Sequence, residues 1–266
     1  MVAMPDPMHD TPPLFDRVLL TNDDGIDAPG LQVLQDVAAS LAREVWTVAP
    51  AHDQSGTSHS LSLHSPLRVE ARGERCFAVQ GTPGDCVVMA ARHLMRDAPP
   101  DMVLSGINRG ANLGVETVFS GTVGAAMTAL LLGFPSIALS QAFSDAASVP
   151  WNTARTLAPG VIRRVSALEW SGSACLNVNF PACAADRAGP IVLTRQGAGV
   201  LAGMDVLPGR DPRNIDFYWL RFQRDDRDDL ADSESVAVRA GKIAVTPLRF
   251  ERTDDETLER MRRGLG

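Results

Sequence analysis

The sequence predicts a doubly wound α/β fold: a mostly parallel, Rossmann-like sheet extended at its C-terminal end by a hairpin or arm. Three observations carry this. Short apolar, β-rich runs alternate with stretches of helical spacing over the first 140 residues. Several runs stop at polar loops rich in Asp, Asn, Ser and Gly, as strands feeding a crevice do. Finally, 266 residues with 45% hydrophobic and 21% charged side chains describe an average globular body, not a disordered, collagen-like or coiled-coil chain.

The elements follow in order. Arg17 to Leu20 reads as a buried strand ending at Thr21-Asn22-Asp23-Asp24-Gly25. Pro29 to Leu41 carries Leu31, Leu34, Val37, Ala38 and Leu41 on one face, with proline near the start of a helix. Val45 to Pro50 is the next strand, so strand, helix and strand form a parallel pair with a crossover. Cys76–Val79, Met102–Ser105 and Ile137–Ser140 continue as strands, with helices over Asp85–Met95 and Gly124–Leu132. A helix over Asn152–Leu168 precedes the strands Leu176–Asn179 and Ile191–Thr194, the expected last members of the sheet. Val236–Val238 and Ile243–Val245 flank Arg239-Ala240-Gly241-Lys242 as an expected hairpin, and Thr253–Arg263 as a final amphipathic helix. The reading divides the chain into a mobile tail (1–15), a catalytic α/β core (16–194) and an extension (195–266) serving oligomerisation.

Composition narrows the partners. A net charge of −7 disfavours a nucleic-acid polymer or an anionic membrane as ligand, while small phosphorylated molecules stay allowed if a metal supplies positive charge. Thr117 to Ser144 carries no charge, yet Gly133-Phe134-Pro135-Ser136 breaks it into a buried helix and a buried strand, not a membrane span. Cys76, Cys86, Cys175 and Cys183 show no C-x-x-C spacing, so they read as free thiols of a reducing compartment. Without a signal peptide's apolar run near the start, a cytoplasmic address is expected. The acidic run Asp225, Asp226, Asp228, Asp229, Asp232 and Glu234 reads as a solvated loop.

Chemistry concentrates in loops. Asp23 and Asp24 at a strand end repel each other unless a cation lies between them, and hard oxygens suit Mg²⁺ or Mn²⁺; a helix cap and turn account for the pair equally well. After the second strand, Ser55-Gly56-Thr57-Ser58 offers hydroxyls and backbone N–H groups. In Ser105-Gly106-Ile107-Asn108-Arg109-Gly110-Ala111-Asn112 two glycines admit close approach, and two Asn carbonyls can hold a metal or a phosphate. Ser120-Gly121-Thr122 and Gly81-Thr82-Pro83-Gly84-Asp85 each open a helix, where free N–H groups and the dipole favour an anion. Each alone could be only a cap. His52, His59, His64 and His93 lie off the strand ends and read as surface residues.

Together these segments resemble the survival protein SurE family of 5'/3'-nucleotidases. The resemblance rests on Val18 to Gly25, Val48-Ala49-Pro50 with Ser55-Gly56, Gly81-Thr82-Pro83, Ser105 to Gly114, and Ser120-Gly121-Thr122-Val123. Asn177 to Pro181 and Asp211-Pro212-Arg213 with Tyr218-Trp219 follow in the family's order, over roughly residues 16 to 250. It implies a metal-dependent phosphatase acting on nucleoside 5'-monophosphates, and on 3'-monophosphates as well. It implies one divalent cation per subunit, held by Asp23, Asp24, Ser55 and Asn108, with Asn112, Ser120, Gly121 and Thr122 near the phosphate. The segment from Arg195 to Val245 resembles the family's exchange arm, which implies a homodimer or homotetramer. Two departures stand out: Phe119 where the family usually has Tyr, and Thr128-Ala129 where it usually has Glu-Gly.

The expected mechanism is metal-assisted attack of water, with Asp23 and Asp24 as catalytic carboxylates and Asp23 orienting or deprotonating the water. A haloacid-dehalogenase-like phosphoenzyme would need an aspartyl nucleophile where Asn22 stands. A cation-dependent nucleoside N-ribohydrolase and a non-catalytic nucleotide-binding module are the rival readings. A nicotinamide-binding domain lacks its G-x-G-x-x-G after the first strand.

Overall fold

The computed structural model describes residues 12–170, 172–225 and 230–265. The expected tail lies mostly outside them, as do residues 226–229 of the acidic run. Eleven strands and six α-helices follow one another as β1 (Phe15–Thr21), α1 (Pro29–Ala39), β2 (Ala42–Pro50), β3 (Val69–Gly73), β4 (Cys76–Val79), α2 (Pro83–Met89) and β5 (Met102–Arg109). Then come α3 (Gly121–Leu131), β6 (Ser136–Gln141), α4 (Trp151–Ser166), β7 (Cys175–Phe180), β8 (Ile191–Leu193), β9 (Leu201–Arg210), β10 (Asp216–Arg224), α5 (Glu234–Arg239), β11 (Ile243–Leu248) and α6 (Asp255–Leu265).

Nine strands form one sheet in the order β3-β4-β2-β1-β5-β6-β7-β11-β8. From β4 through β7 all neighbours are parallel, as βαβ crossovers require. The chain winds outward from β1 through β2 to β4, then returns to place β5 on the other side of β1. The switch point therefore falls between β1 and β5, where a crevice opens beyond the strand ends. Both faces of the sheet are covered, and β1 shows the two-residue period directly. Val18 and Leu20 pack with Leu31, Leu34 and Ile162 of α1 and α4, whereas Leu19 packs with Val87 and Ala125 of α2 and α3.

Local sequence accounts for the helix starts. Pro29 sits in the first turn of α1. At α2, Thr82 and Asp85 form a reciprocal capping box: the Asp85 N–H donates to Thr82 Oγ1 at 3.2 Å, and the Thr82 N–H donates to Asp85 Oδ2 at 2.8 Å. Asp85 also accepts from the Ser62 N–H and hydroxyl. Helix α3, from the uncharged stretch, is buried from Gly121 to Leu130. Among the described residues no helix is long and apolar enough to cross a membrane.

Two sequence expectations change near the C-terminus. Val236–Val238 is not a strand of a hairpin: it lies in α5, because Ser233 caps that helix and accepts from the Val236 N–H. β11 instead inserts into the main sheet between β7, antiparallel, and β8, parallel. The antiparallel hairpin is β9–β10, a separate two-stranded sheet, whose turn is tied by Asp211 Oδ1 accepting from the N–H groups of Arg213 and Ile215.

Gly106 decides how β5 passes β6. Its φ is +137°, and a Cβ there would collide with the Leu139 carbonyl oxygen, at the point where the pairing register shifts between Ser105 and Asn108. Gly106→Ala should cost at least about 3 kcal/mol in chemical denaturation, through backbone strain plus overpacking. Gly133→Ala, with positive φ but open space around it, should cost only about 1–2 kcal/mol. Equal losses would show that the contact with β6 is not what requires glycine.

Candidate active site

The switch point brings four of the sequence's loops to one cavity of about 450 Å³. Asp23 and Asp24 reach it from the end of β1, Ser55 from the loop after β2, Asn108 and Asn112 from the end of β5 and beyond, and Ser120 from the cap of α3. Gly121 and Thr122, expected at the phosphate, do not line the cavity; they stand behind Asp23. Thr122 Oγ1 donates to Asp23 Oδ1 at 2.5 Å, and a Cβ on Gly121 would lie 2.7 Å from that of Asp23. Only glycine lets the helix start approach so closely.

Electrostatics at the end of β1 are uncompensated. Asp23 is 4% exposed, and its burial, opposed by the Thr122 hydroxyl and seconded by the neighbouring Asp24 charge, raises its carboxyl to about 6. Asp24 is raised too, first by burial and also by Asp53, against the lowering effect of the Arg109 N–H that donates to its Oδ2 at 3.2 Å. Ser55 is oriented through donation from its N–H and its hydroxyl to Asp53 Oδ1, at 2.7 and 2.6 Å. Asn108 donates its amide to the Gly110 carbonyl at 2.8 Å, which leaves its amide oxygen for a ligand. Among the described residues no three His, Cys, Asp or Glu side chains form a group that could hold a metal. A cation here would rest on two carboxylates completed by neutral oxygens, a set suited to a hard divalent ion.

Asn112 is held from behind by residues to which sequence reasoning gave no role. Its N–H donates to Asn179 Oδ1 at 2.9 Å, its amide donates to Ser140 Oγ at 3.0 Å, and its carbonyl accepts from the amides of Asn177 and Asn179. The signal was present: Asn177 and Asn179 lie two apart, on one face of a fully buried strand. Arg109, Glu116, Phe119, Phe143, Phe222, Arg224 and Arg239 also line the cavity. The last three come from the arm and α5, and no local pattern could have placed them. Gly81 to Asp85 lies elsewhere and serves as the cap described above. None of His52, His59, His64 and His93 lines the cavity; His59 is half-buried and held below its ordinary value by burial, then by Arg252.

Comparison with known proteins places these features in context. Residues 18–202 match the family model described as Survival protein SurE. The chain is 65% identical over 259 residues to 5'-nucleotidase SurE 1 of Burkholderia lata, covering 97% of this chain and all of the relative. It is 48% identical to 5'-nucleotidase SurE of Nitrobacter winogradskyi, over 90% of this chain and 95% of that one. A crystal structure of the SurE protein from Aquifex aeolicus superimposes with a TM-score of 0.79 at 32% identity, covering 94% of this chain and 100% of that chain.

Burial of Asp23 sets a pH dependence in the metal-free protein. The unfolded carboxyl titrates near 3.8 and the folded one near 6, so the native state holds its proton more tightly. The stability conferred by the neutral acid is therefore lost as pH rises through that window. In chelated protein, the stability of Asp23→Asn relative to the parent should rise by about 1 kcal/mol between pH 5 and 7.5, measured by denaturant unfolding. A difference independent of pH would mean that the Asp23 carboxyl is not desolvated.

Proposed function

The chain belongs to the survival protein SurE family and is a 5'-nucleotidase, and from that premise we propose that it hydrolyses nucleoside 5'-monophosphates, and 3'-monophosphates as well, with one divalent cation per subunit. The observation that carries the reading is the pair Asp23 and Asp24, desolvated side by side at the switch point, with the Thr122 hydroxyl on one and the Arg109 N–H on the other. Asp23, Asp24, Ser55 and Asn108 would hold Mg²⁺ or Mn²⁺. Such an ion supplies a Lewis acid for the phosphoryl group and makes water more acidic.

The protein's own groups do the rest. Thr122 holds Asp23 through Oδ1, so the carboxylate is fixed in place at the cavity, where it would bind the cation and orient a water on it. Ser120 and Asn112 face the cavity and can donate to the phosphoryl oxygens, while Gly121 and Thr122 support Asp23. Cys86 and Cys175 are buried free thiols, and burial pushes Cys175 up to about 12, so both are unreactive; this suits a cytoplasmic setting.

We also propose that the arm makes a homodimer or homotetramer. It carries exposed Val206, Tyr218, Trp219 and Leu220, an apolar surface suited to a second copy of the chain.

Chelation should lower AMP hydrolysis by more than about a hundredfold, and Mn²⁺ or Mg²⁺ should restore it. The products should be phosphate and adenosine. Adenine would identify an N-ribohydrolase, and no product a binding module. At micromolar concentration the parent should sediment as a dimer or tetramer and the double variant Trp219→Glu, Leu220→Arg as a monomer; a monomeric parent would overturn the assembly.

A further inference from the structure

The cavity is lined by chemically different sets of residues. Asp23, Asp24, Ser55, Asn108 and Ser120 offer oxygens; Leu113, Phe119, Val200 and Phe222 offer apolar surface, with Glu116 and Arg224 beside them. Phe119 directly precedes the cap of α3, so a ring is fixed one residue from Ser120. Phe222 arrives from β10, and the two ring centroids lie 5.6 Å apart with planes inclined at 44°. This tilted contact leaves no slot between the rings and makes them a continuous wall. Phe222 remains 40% exposed, an area that water should not cover at no cost. Arg224, two residues further along the strand, forms an ion pair with Glu116 at 3.2 Å, tying β10 to the segment that leads into Phe119.

We propose that the Phe119–Phe222 wall is the nucleobase subsite of this cavity, which receives the base by stacking while the phosphate lies against the oxygen-bearing residues. The proposal rests on the nucleotidase reading and adds where the uncharged part of the substrate sits. A nucleoside monophosphate needs both kinds of lining: polar groups for its dianion and an apolar face for its planar base. Stacking on aromatic rings is the contact a base makes wherever it leaves other bases. The adjoining cavity, bounded by Asp24, Asp53, Arg109 and Trp151, is the less suitable host. Its one aromatic residue, Trp151, packs against the hydrophobic core, and Arg109, which borders both cavities, is held there by donating to the Ala146 carbonyl.

The test compares two product inhibitors of AMP hydrolysis by the intact protein. Adenosine carries the base without the phosphate; inorganic phosphate is the reverse. Phe222→Ala, on the exposed arm, should weaken inhibition by adenosine about tenfold, the scale of base–aromatic stacking, with phosphate inhibition changed less than about twofold. Phe222→Trp should restore adenosine inhibition. If both inhibitors weaken together, Phe222 merely shapes the site and the proposal fails. If neither weakens, the base lies elsewhere, the cavity beside Trp151 being the alternative, and it fails equally. A parent protein that hydrolyses no nucleotide in any metal would instead refute the nucleotidase reading itself.

Discussion

A carboxylate removed from water at the end of a parallel strand must find donors or a counter-charge, and the arrangement around Asp23 follows from that requirement. β1 is central and covered on both faces, so the residues that leave it emerge into the interior of the crevice, not onto open surface. Asp23 meets there the start of α3, whose Thr122 hydroxyl bonds one oxygen and whose Gly121 permits the approach. Asp24 follows immediately and adds a second carboxylate. The loops after β2 and β5 then contribute neutral oxygens, and Arg109 donates its backbone N–H to Asp24.

Two other buried acids show how different a satisfied carboxylate looks. Asp85 accepts from the Thr82 N–H and from the N–H and hydroxyl of Ser62, and its role is to cap α2. Glu234 is fully buried and accepts from the N–H groups of Gly114 and Gly197, at 2.6 and 2.8 Å. It thereby joins the first turn of α5, the root of the arm and the segment preceding Phe119. Gln196 strengthens that junction through the Gly114 carbonyl and the Thr117 hydroxyl. Hydrogen bonds satisfy these acids within the fold, whereas Asp23 and Asp24 are also open to the cavity.

The junction at Glu234 also explains how a hairpin that pairs with no strand of the main sheet can contribute to the site. β9 and β10 bond only to each other, and the arm's position depends on side chains: Glu234 at its root, the Arg224–Glu116 ion pair, and the contact of Phe222 with Phe119. Each of these contacts touches the segment from Gly114 to Phe119, which ends at the cap of α3. The arm and the cap of α3 are therefore joined through this one segment.

Local patterns along the chain were enough to read the alternation of strands and helices, the parallel character of the sheet, and the loops that meet at its switch point. Each of these depends on local periodicity or on residues adjacent in the chain: apolar runs buried on both faces, Pro29 at a helix start, Asp23 and Asp24 at a strand end. Local pattern failed where two distant segments compete for the same residues. Val236–Val238 has β-branched character but lies in a helix, since the Ser233 cap and the burial of Glu234 outweigh propensity. β9 is no more than half-buried on one face and β10 is exposed along its length, so neither carries a clear apolar alternation among the Gly, Pro and charge of this stretch. Tertiary structure alone turned Thr122 toward Asp23, placed Asn177 and Asn179 behind Asn112, and brought Phe222 and Arg224 from the arm to the cavity. The physical reason is that side-chain hydrogen bonds and ring contacts between residues about a hundred positions apart leave no periodic trace in the chain; they exist only after the sheet has fixed where the loops end.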